Sequence, residues 1–278
     1  RLSHTEGRML KSKFGRITLL LLLAALCLSA ALNVVFVKKL NDSFGRIHTA
    51  RVFPLGATMP RDAVVYNAQE SVCIGLFGDS RAYHWAPFLK RHLGNSSAVA
   101  NYSAGGRTTY QQLLILQLGL APRSHQKYAL LQVGINDLHP IGALSQQPED
   151  VVARGKANIT RIVDHLRELA DTVIVTTIFP RGPIPLSRKA LWDENTDQYT
   201  AEVNDFIKTL PGILVVDSTD ALARNVSGHE IKNDYEATDF FLHLSPTGYQ
   251  AITEHVVREA GIDCLTPQPD SPLAVAPN

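Results

Sequence analysis

Five short apolar runs, separated by longer stretches of helical periodicity, constrain the fold of this chain more than any other feature. The runs occupy residues 72–77, 98–102, 128–133, 172–177 and 213–216, and several are dense in Val, Ile and Leu. Runs of that length and content suit strands covered on both faces. The stretches 82–93, 109–120, 148–169, 198–210 and 246–260 carry apolar residues at helical spacing. The longest places Val152, Ile159, Ile162, Val163 and Leu166 on one stripe, with Arg154, Lys156 and Glu168 opposite. Such alternation predicts a parallel sheet with helices on both faces, a three-layer α/β/α sandwich. Ligands of open parallel sheets sit beyond the carboxyl ends of the strands. Residues that follow the apolar runs directly are therefore the ones to read for chemistry.

The chain has 278 residues, 45% of them hydrophobic, and a formal net charge of +1. That length supports one sizeable core. The balanced charge lacks the basic face of a nucleic-acid binder, so nucleic acid is not an expected partner. Cys27, Cys73 and Cys264 are too widely spaced for a zinc ribbon or a disulfide mini-domain. Cys73 and Cys264 could pair in an oxidising compartment, but nothing in the sequence shows that they meet.

Residues 17–37 form an apolar run interrupted only by Thr18, Ser29 and Asn33. At about 1.5 Å per helical residue, it reaches across the roughly 30 Å hydrocarbon core of a bilayer. Arg8, Lys11, Lys13 and Arg16 precede it, and Lys38 and Lys39 close it. That bias favours an inside N-terminus and an extracytoplasmic remainder. The run is expected to be a transmembrane signal-anchor behind a basic segment at 1–16, joining the protein to the membrane through one helix. The alternative is a cleaved signal peptide starting at Met9, with Ser29-Ala30-Ala31 as cleavage site and a secreted product. Residues 38–70, punctuated by Pro54 and Pro60, read as a stalk, and residues 71–262 as the folded domain. Residues 263–278 hold Pro267, Pro269, Pro272 and Pro277 and read as a disordered tail.

Four segments behind the apolar runs carry reactive or polarising groups. Gly78-Asp79-Ser80 joins the first run to a helical pattern. Ser80 would stand at a helix N-terminus, able to attack while its own amide steadies a developing oxyanion. The bland alternative is that Asp79 or Ser80 only caps the helix. Gly105-Gly106 follows the second run, where a glycine backbone can approach a substrate closely. Asn136, in Gly134-Ile135-Asn136-Asp137, follows the third and carries a side-chain amide that can donate to an oxyanion, although Asn-Asp also makes ordinary turns. His243 precedes Ser245-Pro246, a good cap and first-turn pair for the last helix.

In order and spacing these four blocks resemble the SGNH, or GDSL-like, hydrolase superfamily, in its membrane-anchored or secreted bacterial form. The blocks matched are Ser80 in Gly-Asp-Ser, Gly106, Asn136 in Gly-x-Asn-Asp, and His243 in His-Leu-Ser-Pro-x-Gly-Tyr, and the resemblance runs from about residue 72 to 261. It implies a flavodoxin-like sheet and a serine esterase without cofactor. Ser80 would be the nucleophile and His243 its base; the amides of Ser80 and Gly106 with the Asn136 side chain would form the oxyanion hole. The family's acid stands three residues before the histidine, where this chain has Phe240. Asp239, one residue earlier, is the candidate third member, with a Ser–His dyad as the alternative. Arg81 stands where many relatives carry an aliphatic residue, a mild departure.

The activity expected is hydrolysis of small acyl esters, such as O-acetyl groups, on a small or glycan substrate outside the cytoplasm. Two readings compete: transfer of the acyl group onto cell-surface polysaccharide, and a tethered carbohydrate-binding module with impaired catalysis. His84, Asp137 and His139 lack the spacing of a metal site, so no metal is expected. The Pro-rich loop at 179–193, with Arg181 and Arg188, is the expected substrate lid.

Overall fold

Each of the five apolar runs is a strand of one parallel sheet, ordered β2-β1-β3-β4-β5. The strands are β1 (Ile74–Gly78), β2 (Val99–Asn101), β3 (Gln126–Gln132), β4 (Ala170–Thr176) and β5 (Leu214–Val216). The computed structural model describes residues 18, 20–33, 35–36, 72–94, 98–120, 125–143, 146–189, 192–224, 228–238 and 241–264. The expected stalk at 38–70 and most of the expected tail lie outside them.

The long helices are α1 (Ser80–His92), α2 (Thr109–Gln117), α4 (Pro148–Leu169), α6 (Thr196–Thr209) and α8 (Pro246–Glu259). Three short helices, α3 (Ile135–Leu138), α5 (Leu186–Lys189) and α7 (Ser218–Leu222), interrupt the connections. Side chains alternate across the sheet and feed two cores. Phe77, Leu131 and Val175 pack with Leu113 of α2, Ile159 and Ile162 of α4, and Ile207 of α6. Ile74, Leu76, Leu130 and Ile174 pack with Trp85 and Leu89 of α1 and Ile252 and Val256 of α8. This period-two partition explains the near-continuous apolar runs, because both faces of each strand are covered. The α1–α8 seam is tied by Trp85 Nε1, which donates to Thr253 Oγ1 at 2.8 Å.

The sheet order reverses at β1, so the ends of β1 and β3 open the crevice where such folds bind ligands. At the opposite end Cys73 is bonded to Cys264, a pairing that the sequence left open.

The chain divides into an N-terminal unit, Arg1–Phe53, and a unit Pro54–Asn278 that holds the sheet. In the first unit residues 20–33 are helical, as are 18, 35 and 36. Among the described residues no helix is long and apolar enough to cross a membrane, and both ends of the 17–37 run lie outside them.

Candidate active site

The site begins with a close approach of backbones. Gly78, at φ 149°, brings the end of β1 so near β3 that a Cβ would stand 1.9 Å from the Gln132 carbonyl oxygen. Asp79 turns the chain and caps α1, its carboxylate accepting from the Arg81 amide at 2.8 Å. Asp79, not Ser80, is therefore the cap, and Ser80 is the first helical residue. Its backbone N–H is one the helix does not use, and its hydroxyl is 3.1 Å from Nε2 of His243.

His243 arrives from the other end of the domain on a short loop ahead of α8. Ser245 caps that helix, accepting from the Gly248 amide at 3.2 Å, with Pro246 at its first position. The Ser245 amide in turn donates to the Tyr235 carbonyl at 2.8 Å. Behind the histidine, Gly182 N–H donates to the Phe241 carbonyl at 2.7 Å. The His84 ring lies against His243, with centroids 4.7 Å apart. Asp239 and Phe240 lie outside the described residues.

The oxyanion blocks are held by a network that crosses two loops. Beyond β2 the chain keeps pairing with β1, through Tyr102 N to Leu76 O at 2.7 Å and Ala104 N to Gly78 O at 3.2 Å. This carries Gly105 and Gly106 past the end of β1, and Gly106 turns at φ 71°. Asn136, at the start of α3, donates from Nδ2 to the Arg107 carbonyl at 3.1 Å. An amide nitrogen has two hydrogens, so one remains for an oxyanion. Asp137 accepts both the amide (2.9 Å) and the hydroxyl (2.7 Å) of Thr109, and Asn158 donates to that hydroxyl at 3.1 Å. Arg107 is buried beneath, bonded to the Tyr102 carbonyl and, at 3.0 Å, to Gln112.

Sequence reasoning missed Arg107, Asp137 and Asn158 as supports. The Thr108-x-x-Gln111 capping box, present in the structure, was a second local signal, beside the apolar spacing at 109–120, that a helix begins there. Arg81 was also under-read. It is fully buried, donating from Nε to the Leu242 carbonyl (2.6 Å) and from the guanidinium nitrogens to Phe179 (2.6 Å) and Pro180 (3.3 Å).

Burial dominates the electrostatics. It pushes Asp79 up to about 7 against the opposing pull of Arg81. Asp137 rises to about 6, burial outweighing the bonds from Thr109. Burial also brings Arg81 and Arg107 down to about 10, so both stay cationic near neutrality. His139 falls to about 4, for the same reason.

Among the described residues no group of His, Cys, Asp and Glu side chains gathers as a metal site. In the loop expected as a lid, Arg181 donates from Nε to Asp197 at 2.9 Å, a second nitrogen meets the same carboxylate, and the guanidinium lies over Trp192. A partly open cavity of about 160 Å³ adjoins this loop, bordered by Ile178, Trp192, Thr200, Asn204 and His229. Arg188 is exposed on α5.

The sequence model of the GDSL-like lipase/acylhydrolase family matches residues 68–251. This chain belongs to that family. Solved structures share the fold. A Bacteroides fragilis protein named as an acylhydrolase is 18% identical, covering 74% of this chain and 96% of its own at a TM-score of 0.54. The Enterococcus faecalis lipase/acylhydrolase is 20% identical, with 69% and 97% covered and a TM-score of 0.50. A GDSL-like lipase from Bacteroides thetaiotaomicron is 16% identical, with 77% and 95% covered and a TM-score of 0.50. No curated protein matches the chain. This GDSL-like protein is an ester hydrolase.

Proposed function

We propose that this GDSL-like enzyme hydrolyses carboxylic esters of small acyl groups, O-acetyl esters foremost, outside the cytoplasm through an acyl-enzyme on Ser80. The observation that carries the reading is the 3.1 Å approach of His243 Nε2 to the Ser80 hydroxyl, across 163 residues of sequence. In this mechanism His243 takes the Ser80 proton as the oxygen attacks the ester carbonyl. The amides of Ser80 and Gly106 and the free hydrogen of Asn136 Nδ2 meet the oxyanion. Collapse expels the alcohol, which leaves with the proton from His243. Water, deprotonated by the same imidazole, then attacks the acyl-enzyme and releases the acid. Asp239 is the third member in this reading, orienting the ring, on the strength of its sequence position.

The small acyl group is argued from the rim. Tyr83, His84, Gly105 and Gly106 are exposed around Ser80, an open border with the single apolar ring of Tyr83, which suits a short acyl group better than a long chain. The same openness would admit a sugar hydroxyl in place of water, which makes acyl transfer to a glycan the second reading. Export is supported by the Cys73–Cys264 disulfide, which persists in oxidising compartments, and by the apolar run at 17–37 as anchor or signal.

A fluorophosphonate probe tests the nucleophile: the wild type should be labelled and Ser80→Ala should not. With aryl esters, kcat/KM should fall from acetyl to octanoyl, and His243→Ala should lose roughly 10⁴-fold in kcat. Label persisting in Ser80→Ala, or a preference for octanoyl, would overturn the corresponding half of the proposal. Adding a glycan acceptor separates the two readings, since transfer gives an acylated sugar in place of free acid.

A further inference from the structure

Arg81 follows the candidate nucleophile directly and is 0% exposed. A guanidinium carries five N–H donors and keeps its charge, so burying it without acceptors would be strongly destabilising. Its bonds end on three backbone carbonyls, and none of them belongs to its own helix. Phe179 and Pro180 stand in the loop behind β4, and Leu242 immediately precedes His243. The guanidinium also lies 5.9 Å from the centroid of the Phe179 ring. An aliphatic side chain would fill the volume and hold none of these carbonyls.

The Leu242 carbonyl matters because it shares a peptide plane with the His243 nitrogen. Fixing that oxygen fixes the plane from which the histidine side chain departs. The plane before it is pinned as well, by Gly182 N–H on the Phe241 carbonyl at 2.7 Å. A rotation of roughly 15° at such a plane swings the far ring nitrogen by about 1 Å, and a displacement of that size can cost about 100-fold in rate. One residue thus reaches from the first turn of the nucleophile's helix to the backbone of the base. Burial lowers the guanidinium only to about 10, so the cation persists over the working range of an imidazole base.

We propose that Arg81 is a positioning residue: by holding the Leu242 carbonyl it sets the distance between His243 and Ser80, and by holding Phe179 and Pro180 it locks that loop to the β4 end of the site. The inference rests on Ser80 and His243 being nucleophile and base.

The test compares the full-length wild type with Arg81→Met, which keeps an unbranched stem without donors, and Arg81→Lys, which keeps the charge and part of the donor set. Leu89→Ala, buried on the same helix about 13 Å along its axis from Ser80, serves as the stability control. Circular dichroism and Tm establish folding, and rates are taken well below every Tm. Arg81→Met should lose about 100-fold in kcat on an aryl acetate with KM within about twofold. The limb of its pH–rate profile that reports the base should shift, and Arg81→Lys should recover about tenfold of the loss. Leu89→Ala should lower Tm and leave kcat within about twofold of wild type. A folded Arg81→Met with wild-type kcat and pH profile would overturn the proposal, as would a Leu89→Ala that reproduces the kcat loss. Should Arg81→Met fail to fold, Arg81→Lys decides alone: reduced kcat at unchanged KM supports positioning, and wild-type kcat refutes it. Failure of the underlying reading looks different, because the probe would then still label Ser80→Ala.

Discussion

Asp79 holds a carboxyl group where no water reaches it, within electrostatic reach of two buried arginines and of Asp137. Its ordinary value of 3.8 rises to about 7, with burial the largest cause. The direction of the linkage follows from that rise. Below about 4 the group is protonated both folded and unfolded, and it contributes nothing to the pH dependence. Between about 4 and 7 the unfolded chain gives up the proton while the folded protein keeps it, so stability declines as pH rises. Above about 7 the decline is complete, a few kcal/mol in size. Asp79→Asn resembles the neutral form and retains an oxygen to accept the Arg81 amide, so the cap on α1 survives. The variant should therefore gain on the wild type by a few kcal/mol between pH 4 and pH 8. Urea unfolding of both proteins at the two pH values measures this. A stability difference that stays constant with pH would show that the carboxyl titrates normally in the fold.

The elements that converge on the crevice depend on how closely β1 can lie against β3, and that spacing is set at Gly78. At φ 149° any side chain is strained, and a Cβ would meet the Gln132 carbonyl oxygen at 1.9 Å and Ala82 Cβ at 2.9 Å. Both neighbours are fixed, one by the sheet and one by α1. Gly78→Ala should destabilise the domain by roughly 3 kcal/mol or more and slow probe labelling of whatever remains folded. Thermal unfolding and labelling kinetics check it, and an unchanged Tm would mean that the two strands part without difficulty. Gly78 also shows why some of the site was legible in the sequence. A strand running into Gly-Asp-Ser and then a helix is a local statement, and so is a histidine ahead of a Ser-Pro cap. The structure brings those two residues together, and it ties Asn136 to the Gly106–Arg107 loop. Helix α4 was readable over its full length because 22 residues give the apolar stripe six turns in which to repeat. Helix α3 has four residues and α7 has five, too few for any period to register. The start of β3 was read late because Gln126 and Lys127 are polar, although Gln126 is buried. The pairings of Asp137 with Thr109 and of Arg81 with Leu242 join positions 28 and 161 residues apart. No local pattern encodes them. For Arg81 the aliphatic residue common among relatives pointed towards a mild change, whereas the fold uses its charge as a tether.

For the molecule as a whole, the longest-range constraint is the Cys73–Cys264 bridge, which spans 191 residues of sequence and closes nearly the entire sheet unit into one loop. It joins the entry to β1 with the exit from α8, so unfolding with the bridge intact leaves the two ends of the domain tethered. Removing a bridge of this kind typically costs 2–5 kcal/mol, most of it through the freedom regained by the unfolded chain, with a loop this long near the upper end of roughly 5 kcal/mol. The bridge lies before β1, and the nucleophile lies after it. At about 3.3 Å per residue the five residues of β1 separate the two by about 17 Å. The cross-link and the chemistry thus occupy opposite ends of the sheet. The double variant Cys73→Ser/Cys264→Ser, or the wild type held in dithiothreitol, should unfold at lower urea and lower temperature. Its kcat on an aryl acetate, measured well below the new Tm, should stay near that of the oxidised enzyme. Urea titrations with and without reductant, paired with rates at low temperature, separate the two effects. If kcat falls while the fold remains intact, the bridge acts on the catalytic end through the sheet. If the urea midpoint does not move, the ends of the domain are already held together by the α1–α8 seam, and the bridge adds nothing to the folded state's advantage. An unmoved midpoint would take away stability as the purpose of the bridge, whereas a kcat that falls on reduction would tie the activity itself to a compartment in which the bridge persists.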